Sequence, residues 1–126
     1  MSALIDSCLL IDHLLGRAEA TAYLRSAPDS AISQITWVEV MVGARNPDEE
    51  ALLRSFLSGF EVLPVDHAVA EEAVRLRRAH RLKLPDALIL ATARVHHLTL
   101  ATRNTRDFAP DTPGVLVPYT LALSSP

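Results

Sequence analysis

Cysteine is nearly absent from this chain of 126 residues, which has a single one, Cys8. One cysteine cannot form an internal disulfide, and the cysteine and histidines lack the spacing of a zinc site. No apolar run reaches the roughly 18 residues that a membrane span needs, and no basic segment precedes an apolar one at the N-terminus. We therefore expect a cytoplasmic protein without a membrane anchor.

Aromatic residues are scarce too, at 5%, although hydrophobic residues make up 49% of the chain. The core must therefore consist mainly of Leu, Val, Ile and Ala side chains. Such a composition is typical of a folded protein and argues against disorder. Because this length suits one domain with a sizeable core, we predict a single domain over residues 1–126.

An excess of positive charge is missing as well, since the formal net charge is −3. The basic residues are nevertheless clustered, because the segment RLRRAHRLK (75–83) holds four arginines and the only lysine, Lys83. This segment is either a solvated helix end, which the helix dipole favours, or a local patch that binds phosphate groups.

Short apolar segments alternate with helical patterns along the chain. The predicted strands cover residues 2–5, 30–34, 60–65, 98–102 and 115–118. The predicted helices cover residues 7–15, 17–26, 37–44, 48–58, 67–81 and 84–97. Because the strands are continuously apolar, both faces of their sheet are expected to be covered. We therefore predict an α/β fold with three layers, α/β/α, and a mainly parallel central sheet.

Four acidic residues are predicted at the carboxyl edge of this sheet, where parallel sheets bind their ligands. Asp6 follows the first strand, and Glu39 lies in the first turn of the helix after the second strand. Asp86 opens the last helix, and Asp107 lies in the loop after the fourth strand.

Each of these acids also has a purely structural explanation. Asp6 could cap the helix that follows it, and Thr36 with Glu39 matches a capping box. Asp86 suits a first helical turn because of the dipole, and Asp107 could form a turn. These explanations do not account for four acids at one edge of the sheet, because two carboxylates about 4 Å apart repel by roughly 4 kcal/mol at an effective dielectric near 20. A cluster of four therefore predicts bound protons or a divalent cation, and oxygen ligands favour Mg²⁺ or Mn²⁺.

Four segments resemble the motifs of one protein family, in the same order along the chain: LIDSCLLID, SQITWVEVMVGA, LKLPDALILATA and LATRNTRDF. They resemble the opening strand and Asp of the PIN-domain ribonucleases, their Ser-x-x-Thr-x-x-Glu segment, their Leu-Pro-Asp-Ala segment and their Thr-x-Asn-x-x-Asp-Phe loop. In particular, the chain resembles the VapC-type toxins of toxin–antitoxin modules. One departure is Cys8, where the family commonly has Asn or Ser.

The resemblance implies an endoribonuclease that depends on Mg²⁺ or Mn²⁺, that a VapB-type antitoxin neutralises, and that forms a homodimer. It implies that the catalytic metal ligands are Asp6, Glu39, Asp86 and Asp107. It further implies that these ligands are oriented by Ser7, Thr102 and Asn104. The candidates for contact with the RNA substrate are Arg75, Arg78, Arg81, Arg103 and Arg106.

Several alternatives remain open at this point. A PIN-fold binding module could hold a DNA-binding partner and regulate transcription without significant cleavage. A receiver domain or an Asp-x-Asp phosphatase is disfavoured, because no second acid stands beside Asp6 and Lys83 does not follow a strand. Arg103 and Arg106 could contact RNA phosphate or pair with acids. Asp12 lies nearly two helical turns beyond Asp6, and we predict that it is an outer partner of the site.

Overall fold

The computed structural model describes residues 3–121 and contains every strand and helix that the sequence predicts, with somewhat different ends. The strands are β1 (Ala3–Ile5), β2 (Ala31–Ser33), β3 (Glu61–Leu63), β4 (Thr99–Ala101) and β5 (Val115–Leu116). The helices are α1 (Ser7–Leu14), α2 (Ala18–Ser26), α3 (Gln34–Met41), α4 (Pro47–Leu57), α5 (His67–His80) and α6 (Leu84–Val95). None of the helices in this range is long and apolar enough to cross a membrane.

The strands form one sheet in the order β3-β2-β1-β4-β5, and all the pairings are parallel. Leu4 of β1 lies opposite Ala31 of β2 on one side and Leu100 of β4 on the other. The chain moves outward in one direction from β1 to β3 and in the other direction from β4 to β5. The carboxyl ends of β1 and β4 therefore flank the point where the strand order reverses, which is where parallel sheets bind ligands.

Alternate strand residues pack against helices on opposite faces of the sheet. Leu4 and Leu100 belong to a buried cluster with Leu76 of α5 and Leu90 of α6. Ile5 belongs to a second cluster, together with Leu9 and Leu10 of α1, Val40 of α3 and Leu57 of α4. Two cores on two faces confirm the predicted three-layer α/β architecture.

Helix α3 begins earlier than the sequence predicts. Ser33, the last residue of β2, caps the helix, and its Oγ accepts a hydrogen bond of 3.0 Å from the backbone N–H of Ile35. The predicted start at residue 37 with Thr36 as the cap is therefore wrong, because Ser33 supplies the cap as soon as the strand ends. Glu39 consequently lies in the second turn of the helix and not in the first.

Candidate metal centre

The four predicted acids reach one region at the carboxyl edge of the sheet. Asp6 caps α1 directly after β1, Glu39 comes from α3, Asp86 from the first turn of α6, and Asp107 from the loop after β4. Burial, followed by the charges of Asp107, Asp6 and Glu39, raises the pKa of Asp86 to about 6. Since all three other carboxylates act on Asp86, the fold has brought the four acids into electrostatic contact.

Asp6 is the most deeply placed of the four, with 4% of its surface exposed. Its Oδ1 accepts a hydrogen bond of 2.9 Å from the backbone N–H of Ser7, and its Oδ2 accepts one of 2.7 Å from the Thr102 hydroxyl. Burial raises the pKa of Asp6, although these hydrogen bonds oppose the rise. In the described part of the chain no cationic side chain forms an ion pair with this carboxylate.

Cys8 stands beside Asp6, where the family commonly has a more polar residue. Its Sγ lies 3.4 Å from Asp6 Oδ2 and 3.5 Å from Thr102 Oγ1, and it accepts a hydrogen bond from the backbone N–H of Arg103. Burial, together with the negative charge of Asp6, raises the pKa of the Cys8 thiol to about 11. The thiol is therefore protonated at neutral pH and can donate weakly to Asp6.

Glu39 lies at the exposed side of the cluster. Partial desolvation raises its pKa and the charge of Asp6 adds to the rise, whereas a hydrogen bond from the Ser7 side chain lowers it. Ser7 thus contacts two of the acids, Asp6 through its backbone and Glu39 through its side chain.

Asp107 is held by the turn that contains it. The Asn104 side-chain amide donates a hydrogen bond of 2.8 Å to Asp107 Oδ2, and the backbone N–H of Asn104 donates one of 3.0 Å to Thr102 Oγ1. A continuous chain of hydrogen bonds therefore runs from Asp6 through Thr102 and Asn104 to Asp107. Lys83 contacts the other oxygen of Asp107, with its Nζ 3.7 Å from Oδ1.

The donor set suits a hard divalent cation, because it consists of carboxylate oxygens without a thiolate or an imidazole. As the side chains stand, no three acidic, histidine or cysteine residues within 3–121 are close enough to hold one ion. Mutual repulsion between carboxylates favours such separation. Three of the four acids could share a cation only after their side chains move closer together.

The candidate RNA-contacting arginines have different surroundings. Arg75 is paired with Glu72 through two hydrogen bonds, whereas Arg78 and Arg81 have no such partner within the described residues. Both line an open groove of about 590 Å³ on α5, together with Val74, Arg77 and Leu84. Two exposed guanidinium groups beside a groove can accept a phosphodiester backbone.

Arg103 and Arg106 differ from each other, although they flank the same loop. Arg103 pairs with Asp12, with Nε 2.6 Å from Oδ2 and Nη2 2.9 Å from Oδ1. The sequence left two roles open for Arg103, contact with RNA phosphate or pairing with an acid, and the structure shows the pairing with an acid. Arg106 is exposed and lines a cavity of about 230 Å³ next to Asp107.

Two contacts were not predicted from the sequence. The approach of Lys83 to Asp107 could have been suspected, since Lys83 occupies the N-cap position of the helix that carries Asp86. The hydrogen bond of 2.8 Å from the Tyr119 hydroxyl to Asp12 had none, because the two residues come from opposite ends of the chain.

Comparison with known proteins agrees with this architecture. The PIN domain family matches residues 3–110. Ribonuclease VapC10 of Mycobacterium tuberculosis is 39% identical over 113 residues, which cover 83% of this chain and 84% of that protein.

Solved structures give the same result. A toxin–antitoxin complex from Klebsiella pneumoniae contains a chain that is 50% identical, with a TM-score of 0.89 and coverage of 95% of this chain and all of that one. FitAB bound to an IR36 DNA fragment is 26% identical, with a TM-score of 0.79 and coverage of 98% and 99%. The chain therefore belongs to the PIN-domain family and, within it, to the VapC ribonucleases.

Proposed function

We propose that this chain is the toxin of a toxin–antitoxin pair and that it hydrolyses phosphodiester bonds in RNA with the help of Mg²⁺ or Mn²⁺. The observation that carries the proposal is the convergence of four acids from separate parts of the fold: Asp6, Glu39, Asp86 and Asp107. Burial and the charges of the other three raise the pKa of Asp86. Clustered carboxylates are costly for stability, and a role as metal ligands accounts for that cost. The 39% identity to a named ribonuclease supports the same reaction.

The roles of the residues follow from their contacts. Asp6, Glu39, Asp86 and Asp107 would hold the cation, which when bound polarises the scissile phosphate and activates water. Thr102 and the Ser7 backbone fix the two oxygens of Asp6, and Asn104 fixes Asp107. The acidic cluster repels RNA, so exposed cations must draw the substrate in. Arg78 and Arg81 beside their groove, Arg106 near Asp107, and Lys83 at the rim are suited to that role.

The partner that we propose is a VapB-type antitoxin, because the 50% identical neighbour is part of a toxin–antitoxin complex. We also propose a homodimer, as the family resemblance implies, and a cytoplasmic location, where an RNA substrate would be met.

The test is cleavage of RNA by the purified chain, freed of its partner, with Mn²⁺ or Mg²⁺ and with EDTA. We expect cleavage that needs the metal and that falls at least 100-fold in Asp6→Asn and in Asp86→Asn. Asp111→Asn is the matched control, since Asp111 is an exposed aspartate outside the cluster. Equal cleavage by the two site variants and the wild type would exclude the proposed centre.

A second candidate function is a binding module that serves a DNA-binding partner without significant cleavage. The similarity to FitAB bound to DNA favours it. The two functions are separated by expressing the chain alone in bacteria. Growth arrest that Asp86→Asn abolishes supports the ribonuclease, whereas normal growth together with tight binding to the partner supports the binding module.

A further inference from the structure

An ion pair between buried Asp12 and partly exposed Arg103 lies outside the four acids and ties the loop after β4 to helix α1. Asp12 is 2% exposed, and the guanidinium of Arg103 reaches both of its carboxylate oxygens in a fork, at 2.6 and 2.9 Å. The Tyr119 hydroxyl donates to the same carboxylate at 2.8 Å, and Arg17 Nε lies 3.5 Å from it. A bidentate arginine of this kind fixes geometry as well as charge.

The sequence position of Arg103 gives this pair its significance. Arg103 stands between Thr102, whose hydroxyl holds Asp6, and Asn104, whose amide holds Asp107. Its own backbone N–H donates to Cys8, next to Asp6 in space. Anchoring the Arg103 side chain to α1 therefore restrains both residues that orient acids of the metal centre.

Burial opposes the ionisation of Asp12, but the hydrogen bonds from Arg103 and Tyr119 outweigh it and lower the pKa of Asp12, so the pair also supports the fold. Its net contribution to stability is smaller than the attraction between the two charges, since Asp12 loses its hydration on burial. Asp12 makes no hydrogen bond to any of the four acids within the described residues, and its shortest hydrogen bond, at 2.6 Å, comes from Arg103, which stands between the residues that hold Asp6 and Asp107.

We propose that Asp12 is a positioning residue of the metal centre, which acts through Arg103 to hold Thr102 and Asn104 in the geometry that cation binding requires. This inference rests on the proposed function. It also means that Arg103 serves the metal centre and does not contact RNA. Residues that orient metal ligands from outside commonly change metal affinity by 10- to 100-fold when they are replaced.

The experiment is calorimetric titration of the full chain with Mn²⁺ alone, without RNA, well below the unfolding temperature of each variant. We expect Asp12→Asn and Arg103→Lys to weaken Mn²⁺ binding about tenfold or more, because the first removes the charge and the second removes the fork. Tyr119→Phe is the matched control, since it removes one hydrogen bond to Asp12 and leaves the ion pair, and its Mn²⁺ affinity should stay within about threefold of the wild type.

The outcomes separate this inference from the proposed function. If Asp12→Asn does not fold, Arg103→Lys, which keeps the positive charge, decides the question. A lower unfolding temperature with unchanged Mn²⁺ affinity would mean that the pair is only structural and would overturn the inference. Weaker binding of a labelled RNA in EDTA by Arg103→Lys, with Mn²⁺ affinity unchanged, would overturn it in favour of an RNA contact. If the wild type binds no Mn²⁺, or if Asp6→Asn binds it equally well, the proposed function fails and the inference fails with it.

Discussion

At the scale of single residues, Asp86 shows the electrostatic cost of the acidic cluster. Burial and three neighbouring carboxylates raise its pKa to about 6, so the folded protein binds this proton more tightly than the unfolded chain does. In the absence of metal, ionised Asp86 therefore destabilises the fold at neutral pH. Because the folded-state pKa lies above the unfolded value, the metal-free protein should become more stable as the pH falls from 7 towards 5.

Asp86→Asn should consequently stabilise the metal-free protein while it abolishes cleavage. Asp86 is partly exposed, so water screens part of the repulsion. We expect a gain of about 1 kcal/mol, which corresponds to a rise of about 4 °C in Tm for a domain of this size. The measurement is thermal unfolding in EDTA at pH 7 and again at pH 5, where the gain should shrink. The control Asp111→Asn should leave Tm unchanged, and a lower Tm for Asp86→Asn at pH 7 would contradict this account.

The same raised pKa values predict how metal affinity depends on pH. Protons compete with the cation for carboxylates, so Mn²⁺ binding should weaken as the pH falls below about 6. The expected slope is about tenfold in Kd per pH unit for one proton, and it is steeper if Asp6 or Glu39, whose pKa values are also raised, takes up a second. Calorimetry at pH 6.5, 5.5 and 4.5 measures it. A constant Kd over this range would show that Asp86 does not bind the ion.

At the scale of secondary-structure elements, α3 presents Glu39 to the site, and its start is set by Ser33. Ser33→Ala removes the hydroxyl that caps the helix and should cost about 1 kcal/mol. Thr36→Val should cost nothing or be stabilising, because the buried Thr36 hydroxyl has no hydrogen-bond partner within the described residues. Urea denaturation with an unchanged m value compares the two variants. The reverse ranking would support the capping box that the sequence suggested.

The same helix shows what a sequence can predict of an element. Apolar runs and the prolines in the first turns of α4 and α6 were sufficient to find each strand and helix. The start of α3 was not predictable, because SQIT offers both Ser33 and Thr36 as caps and only the length of β2 decides between them. The acids of the site could be proposed because each lies shortly after the end of a strand or near the start of a helix. The pairing of Arg103 with Asp12 could not, because any of several acids could have been its partner until the fold placed α1 beside the loop after β4.

At the scale of the whole molecule, the polyanionic RNA has to bind both near an acidic cluster and near a group of exposed arginines. The chain carries a net charge of −3, and its acidic cluster lies at the carboxyl edge of the sheet. Arg78 and Arg81 line a groove on α5 without acidic partners in the described structure, whereas Arg75 on the same helix is neutralised by Glu72. Local pairing, and not the number of arginines, should therefore determine which of them bind RNA.

This difference between neighbouring arginines can be measured through the salt dependence of RNA binding. Removing one cation that binds a phosphate should lower the slope of log K against log salt by about 0.7 for a single strand. We expect Arg78→Gln and Arg81→Gln each to weaken binding of a labelled single-stranded RNA in EDTA and to reduce the slope by about that amount. Arg75→Gln on the same helix removes an equal charge, but its slope should stay near that of the wild type, because Glu72 already holds its guanidinium. Equal slope changes for all three variants would mean that RNA responds to the general charge of α5. Unchanged binding in Arg78→Gln and Arg81→Gln would show that the RNA does not bind at this groove.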